Sequence, residues 1–178
     1  MNLKNNNLLN TYNRLPVSFE KGEGVWLFDK HGKKYLDALS GVAVNTLGHN
    51  HPALVKALTQ QVSKLIHVSN YYNIEEQSLL AEELAGLSQL SSAFFCNSGC
   101  EANEAAIKIA RLHGHKQKIH SPDIIVMDKA WHGRSMATLS ATGSRKAQAG
   151  FEPLMPGFIR VPYDDIASIQ KIANQKNN

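Results

Sequence analysis

The residues best suited to chemistry lie in one octapeptide, Asn97-Ser98-Gly99-Cys100-Glu101-Ala102-Asn103-Glu104. It joins a short apolar run, SAFF, to a strongly helical pattern, EANEAAIKIARLHG. The first N–H groups of a helix have no intrahelical acceptor and sit at the positive end of its dipole. Gly99 would let a ligand approach the backbone closely, and Ser98 adds a hydroxyl donor, so the turn could cradle a phosphate. An ordinary capping box uses the same residues, with Ser98 as N-cap and Glu101 three positions on, and the local pattern by itself favours the box.

A second constellation is Trp131-His132-Gly133-Arg134. An aromatic at the end of a strand can cover a flat ring, and an Arg three residues later offers a bidentate fork for a carboxylate or phosphate. A core Trp beside a surface Arg would read the same way in isolation. What favours a site is shared location, because open α/β sheets bind ligands at the carboxyl ends of their strands and both constellations fall there.

Other reactive types carry less. Eight His include the pairs His49/His51 and His113/His115, spaced two apart, which on a helix do not share a face. With no HExxH or paired CxxC, no metal site is expected. Two cysteines, Cys96 and Cys100, make neither a disulfide framework nor a four-ligand zinc site. Cys100 at a helix start has the setting of a lowered thiol pKa and easy oxidation; it equally suits a small buried position.

The elements that must position these groups alternate. From Val17, VSFE, GVWLFD and KYLDAL read as short strands around the turn KHGK. Pro52 opens an amphipathic helix to about His67, with Ala53, Leu54, Ala57, Leu58, Gln61, Val62, Leu65 and Ile66 at helical spacing. A second helix starts near Glu75 and includes Leu79, Leu80, Glu83, Leu84 and Leu87. SAFFCNSG is expected as a buried strand ending in a turn. The helix EANEAAIKIARLHG, the strand DIIVMD, a loop and short helix in WHGRSMATLSATG, a strand in GFIRVPY and a helix in DDIASIQKIANQ follow. Strands alternating with helices imply βαβ units and a mainly parallel sheet, an α/β fold. The expected division is 1–48, an amino-terminal arm with small-domain strands, and 49–178, the first part of a larger domain.

The 178 residues carry 19 Lys+Arg against 15 Asp+Glu, a formal charge of +4. The basic residues are scattered and mostly Lys, which argues against a nucleic-acid face. The amino terminus has no secretory h-region, and no apolar run reaches the roughly 20 residues of a membrane span, so a cytoplasmic protein is expected.

Taken in order, YNRLPVSFEKGEGVWLFDKHGKKYLDALSGVAVNTLGHNHP, FFCNSGCEANEAAIKIAR, WHGRSMATLSATG and GFEPLMPGF resemble the class III pyridoxal-phosphate aminotransferases. The resemblance runs from about Thr11 to Tyr163 and is greatest to members acting on N-acetylornithine. It implies fold-type I architecture, here the amino-terminal segment plus the first half of the large sheet domain, and a homodimer with active sites at the subunit interface. It implies pyridoxal 5'-phosphate as cofactor, held by Ser98, Gly99 and Cys100, with Trp131 stacking on its ring. Arg134 would pair with the substrate carboxylate, and Tyr12 would line the substrate pocket. Asn45 and the GHNHP loop match a family signature without an assigned role. Cys100 stands where Ala or Thr is usual, and Trp131 where Phe or Tyr is common.

The activity implied is transfer of the terminal amino group of N-acetylornithine to 2-oxoglutarate in arginine biosynthesis. Sister reactions on ornithine, succinylornithine or 4-aminobutyrate, or a non-catalytic product keeping only the phosphate cradle, are the alternatives. The family's Schiff-base Lys and ring-nitrogen Asp have no counterpart here. Lys108, Lys129 and Lys146 lack the family context, so no catalytic residue is assigned. The expectation is the amino-terminal part of a longer enzyme, inactive by itself.

Overall fold

The computed structural model describes residues 7–176, which divide into two compact units, one up to Ile74 and one from Glu75 onward. In the first, β1 (Phe19–Glu23), β2 (Trp26–Asp29) and β3 (Lys34–Leu36) form an antiparallel meander. Its β2–β3 turn is tied by Asp29, whose carboxylate accepts the N–H groups of His31 and Lys33 at 2.9 and 3.0 Å. Gly32, at φ +77°, takes the left-handed position that the turn demands.

A short helical turn, α1 (Ser40–Ala43), follows, with positive φ at Ser40, Gly41, Val42 and Ala43, so it winds left-handed. Asp37 holds its entrance by accepting the N–H groups of Leu39 and Ser40. Asp37 is itself paired with His49 Nε2 at 2.6 Å. Pro52 opens α2 (Pro52–Val62). This helix stops short of His67, leaving Leu65 and Ile66 outside it, because Ser63 turns back to Thr59 and Lys64 and Leu65 both donate to the Gln61 carbonyl.

Within this chain the two compact units divide after Ile74. His49 exchanges two backbone hydrogen bonds with Gly24 and pairs with Asp37, which fixes it to the meander, and the compact unit continues to Ile74.

The second unit holds α3 (Glu75–Ser88), α4 (Gly99–Lys116), β4 (Ile124–Met127), α5 (Met136–Ala141), α6 (Arg145–Gln148), β5 (Phe158–Val161) and α7 (Ile166–Lys176). β4 and β5 pair in parallel, Ile124 opposite Phe158 through Met127 opposite Val161, as the βαβ reading requires. The buried apolar residues, Ile107, Val126, Ala137, Leu139, Ala141 and Val161, come from α4, α5 and the two strands. Arg111 links α4 to the entry of β5, donating to the Pro156 carbonyl at 2.6 Å and lying over the Phe158 ring. α7 starts on Asp165, which accepts from the Ser168 N–H and hydroxyl.

SAFFCNSG is not a strand here. Residues 91–97 have no ladder partner among the described residues, and Phe94 is exposed. Extended chain needs a neighbouring strand to satisfy its backbone, and no described strand pairs with this segment. The four-residue helix α6 is an addition that the sequence pattern did not reveal. Among the described residues no helix is long and apolar enough to cross a membrane.

Candidate active site

The site is built from the start of α4 and the loop between β4 and α5. Ser98 is the N-cap of α4, extended at φ −156°, ψ 158°, and its Oγ accepts the Glu101 N–H at 3.2 Å. Glu101 reaches back, its carboxylate accepting the Asn97 N–H at 2.6 Å. These hydrogen bonds, Asn97 foremost, hold the Glu101 carboxyl below the ordinary range. The cap is therefore formed in a shifted version of the box, with Glu101 taking the N–H of Asn97, one residue before the N-cap.

The box leaves the next donors open. Among the described residues the Gly99 and Cys100 N–H groups have no acceptor, and a Cβ built on Gly99 would meet nothing within 4 Å. An 18-residue helix thus ends in two unused donors beneath open space. Ser98 can turn its hydroxyl hydrogen from Glu101 toward an incoming anion while its oxygen keeps the cap. This donor set fits a phosphate.

Trp131 and Arg134 stand on the loop after β4. The Arg134 guanidinium carbon lies 5.3 Å from the Trp131 ring centroid, a cation–π contact on one face, and Trp131 as a residue is 58% exposed. Between them, buried Gly133 at φ +135° lies against α4: a Cβ there would sit 2.7 Å from Cys100 Sγ and 2.6 Å from Thr138 Oγ1. The two constellations are thus packed together.

Cys100 Sγ contacts the hydroxyls of Ser135 at 3.2 Å and Thr138 at 3.3 Å. Those hydroxyls, then the backbone N–H groups of Ser135 and Arg134, lower its pKa to about 7. Glu104, one turn along α4, accepts the Ser135 hydroxyl hydrogen and the Thr138 N–H. Asn103 donates to the His132 carbonyl at 2.8 Å, and the His132 N–H goes to Thr142 Oγ1 at 3.0 Å. Sequence reasoning placed Asn103 and Glu104 in the octapeptide without giving them a role and passed over Ser135, Thr138 and Thr142; their signal was the second polar pair in EANE and the hydroxyl-rich run SMATLSAT facing it across the fold.

Behind the loop, α5 is buried and its carboxyl-terminal carbonyls would be orphans. Gln148 donates to the carbonyls of Leu139 and Thr142, and Arg160 to those of Ser140 and Thr142. Tyr12 belongs to the first unit, where the Arg14 guanidinium lies over its ring at 5.7 Å. Among the described residues there is no group of three or more His, Cys, Asp or Glu able to hold a metal ion.

The family model of the class-III aminotransferases matches residues 9–178. An acetylornithine aminotransferase of Nitrosomonas europaea is 65% identical over 166 residues, 93% of this chain and 42% of that protein. Acetylornithine aminotransferase 1 of Bordetella parapertussis is 55% identical over 163 residues, 92% of this chain and 42% of its own length. Among solved structures, the ornithine aminotransferase of Toxoplasma gondii superposes with a TM-score of 0.90 at 27% identity, covering 96% of this chain and 41% of that one. The acetylornithine aminotransferase of Elizabethkingia anophelis gives 0.75 at 31% identity, covering 94% and 38%. The chain spans about two fifths of the length of the curated relatives it matches.

Proposed function

The chain belongs to the class III aminotransferase family, with the pyridoxal-phosphate-dependent fold-type I architecture of its structural neighbours, and on that premise we propose that it is the amino-terminal part of an enzyme transferring the terminal amino group of N-acetylornithine to 2-oxoglutarate. The observation that carries the reading is the pair of unused N–H donors at Gly99 and Cys100 under open space, at the start of an 18-residue helix.

In this reading the donors and the Ser98 hydroxyl bind the cofactor phosphate, where the helix dipole favours its charge. Trp131 presents its exposed ring to the flat face of the cofactor. Arg134 holds the carboxylate of the amino or oxo acid through two parallel hydrogen bonds, which fixes the substrate's orientation. Pyridoxal phosphate, when bound, supplies the electron sink that lets an amino group leave one carbon skeleton and join another. The second unit corresponds to the start of the cofactor-binding domain, and the working enzyme is a homodimer. High identity to two acetylornithine aminotransferases supports this substrate over ornithine, succinylornithine or 4-aminobutyrate.

The test is co-expression with the carboxyl-terminal remainder of the Nitrosomonas europaea relative. Glutamate should form from 2-oxoglutarate with N-acetylornithine as donor. Preference for ornithine or 4-aminobutyrate would overturn the substrate, and a complex that forms without any amine-dependent glutamate would overturn the enzyme reading.

A further inference from the structure

We propose that Asn103 and Glu104 are positioning residues that fasten the loop 131–135 to α4, so that Trp131 and Arg134 keep a fixed register with the phosphate-binding end of the same helix. This rests on the reading of the site given above and adds two residues that do not themselves touch cofactor or substrate.

The argument begins with helical spacing. Cys100 and Glu104 are four apart, as are Gly99 and Asn103, so each pair shares a face of α4. The turn that follows the two free donors therefore faces the loop. From it, Asn103 Nδ2 donates to the His132 carbonyl at 2.8 Å, next to Trp131. Glu104 Oε1 accepts the Ser135 hydroxyl hydrogen and the Thr138 N–H, the latter at 3.3 Å, next to Arg134. The loop is thus held on both sides of its buried middle, Gly133.

Glu104 also does the work of a missing cap. Ser135 is the N-cap residue of α5, yet its side chain makes no capping hydrogen bond. The third N–H of α5, that of Thr138, takes Glu104 instead, a carboxylate from another helix at the positive end of the α5 dipole. While Cys100 is a thiol, Ser135 can then give its single hydroxyl hydrogen to Glu104 and receive one from Cys100 or Thr138. A purely local cap would have freed α5 from α4.

The consequence is separable from folding. A loop ordered in advance loses little entropy when a ring settles on Trp131. An anion without a ring gains nothing from that order, since it meets only the α4 terminus. Loosening the loop should weaken pyridoxal phosphate and spare inorganic phosphate.

The experiment uses the whole chain with Trp26→Phe, leaving Trp131 as its one tryptophan. Pyridoxal phosphate affinity is read from quenching of Trp131, and inorganic phosphate affinity from competition. Glu104→Ala should weaken pyridoxal phosphate roughly 10- to 100-fold, the loss expected for hydrogen bonds to a charged group. Phosphate affinity should stay within about threefold. Glu104→Gln keeps an acceptor oxygen and should restore pyridoxal phosphate binding to within about threefold of the parent. Asn103→Leu, which removes the donor at similar size and adds no charge, should reproduce the selective loss even if Glu104→Ala fails to fold. Equal losses for both ligands, an undiminished affinity in Glu104→Ala or Asn103→Leu, or no rescue by Gln would overturn the positioning role alone. A parent chain that binds phosphate but shows no quenching by pyridoxal phosphate would overturn the site reading and the inference with it.

Discussion

Replacing Gly133 by Ala tests the packing of the loop on α4 most directly. At φ +135° an L side chain is strained whatever space surrounds it, and here there is no space. The added carbon would sit 2.6 Å from Thr138 Oγ1, 2.7 Å from Cys100 Sγ and 3.0 Å from Thr138 Cβ. Thr138 cannot step aside: it is fully buried, and α5 is held behind it by Gln148 and Arg160. Backbone strain costs about 1–3 kcal/mol and overpacking a further 1–3, so the loss should be about 2–6 kcal/mol. Gly99→Ala is the matched control, because its Cβ meets nothing within 4 Å and its φ is ordinary. It should leave stability within about 1 kcal/mol of the parent, or raise it, while cutting phosphate affinity by filling the space above the donors. Urea unfolding of dilute protein, followed through Trp131 in the Trp26→Phe background, reads the first effect, and phosphate competition the second. A Gly133→Ala chain within about 0.5 kcal/mol of the parent would refute the packing argument, since surface substitutions lie in that range. So would a Gly99→Ala chain as unstable as Gly133→Ala.

The Cys100 thiol, lowered to about 7, should alkylate with iodoacetamide at a rate that climbs through neutral pH in a Cys96→Ser chain. Thr138→Val removes one of the hydroxyls responsible and should move that rise upward; a rise confined to pH near 9 in the parent would contradict the geometry. The same shift makes the chain more stable as pH goes from about 7 toward the ordinary thiol value, an increment complete above that value and lost as pH falls through 7. Asp37 is held below the usual carboxylate range by the His49 contact first, then by the Ser40 and Leu39 N–H groups. Its contribution is present above the unfolded carboxylate pKa and disappears as pH falls through the lowered one, so Asp37→Asn should flatten the acid limb of Trp26 fluorescence, and an unchanged limb would count against the pairing. Glu101→Gln removes the negative charge that competes for the Ser98 hydroxyl and should tighten phosphate binding about two- to tenfold at low salt, with weaker binding contradicting the cradle. Ile66, Tyr71, Leu87, Leu90 and Phe94 are largely exposed, so the chain should bind a hydrophobic dye and associate as concentration rises. Monodisperse protein over a wide concentration range, with no dye bound, would argue otherwise.

What the sequence made legible was local. Ser98 followed by Glu101 marked the start of α4 to the residue, and IIVM and FIRV marked the two parallel strands, because caps and apolar runs act within a few residues. Pro52 placed the start of α2, but its end depended on Ser63 folding back to Thr59, which periodicity cannot register. SAFF has strand composition and no ladder, since a strand is a property of a pair of segments and not of one. The left-handed turn at Ser40–Ala43 hangs on Asp37 three residues back, a local signal that the pattern of strands and helices hid, whereas the attachment of His49 to the meander hangs on Gly24, across a separation that a motif does not encode. At the site, the residues that would touch a ligand were legible from their types. Those that hold them, Asn103 and Glu104, stood in the same octapeptide without a role until their partners on α5 and its loop were in view.

Capping box and phosphate cradle, rival readings of the same residues, turn out to use different atoms. The box consumes the Glu101 N–H, the Ser98 oxygen and the Asn97 N–H. The cradle needs the Gly99 and Cys100 N–H groups, which the box leaves over because a capping side chain satisfies only some of the four donors at a helix start. One function therefore supports the other: the cap fixes Ser98 as extended chain and leaves the next two N–H groups without an acceptor, beside a glycine whose absent Cβ would meet nothing within 4 Å. A side chain at Gly99 would spoil the second role without touching the first. Cys100 is compatible with both, since its N–H serves the anion while its sulfur faces the loop. The common occurrence of the box is thus no argument against the site; the deciding residue is the glycine inside it.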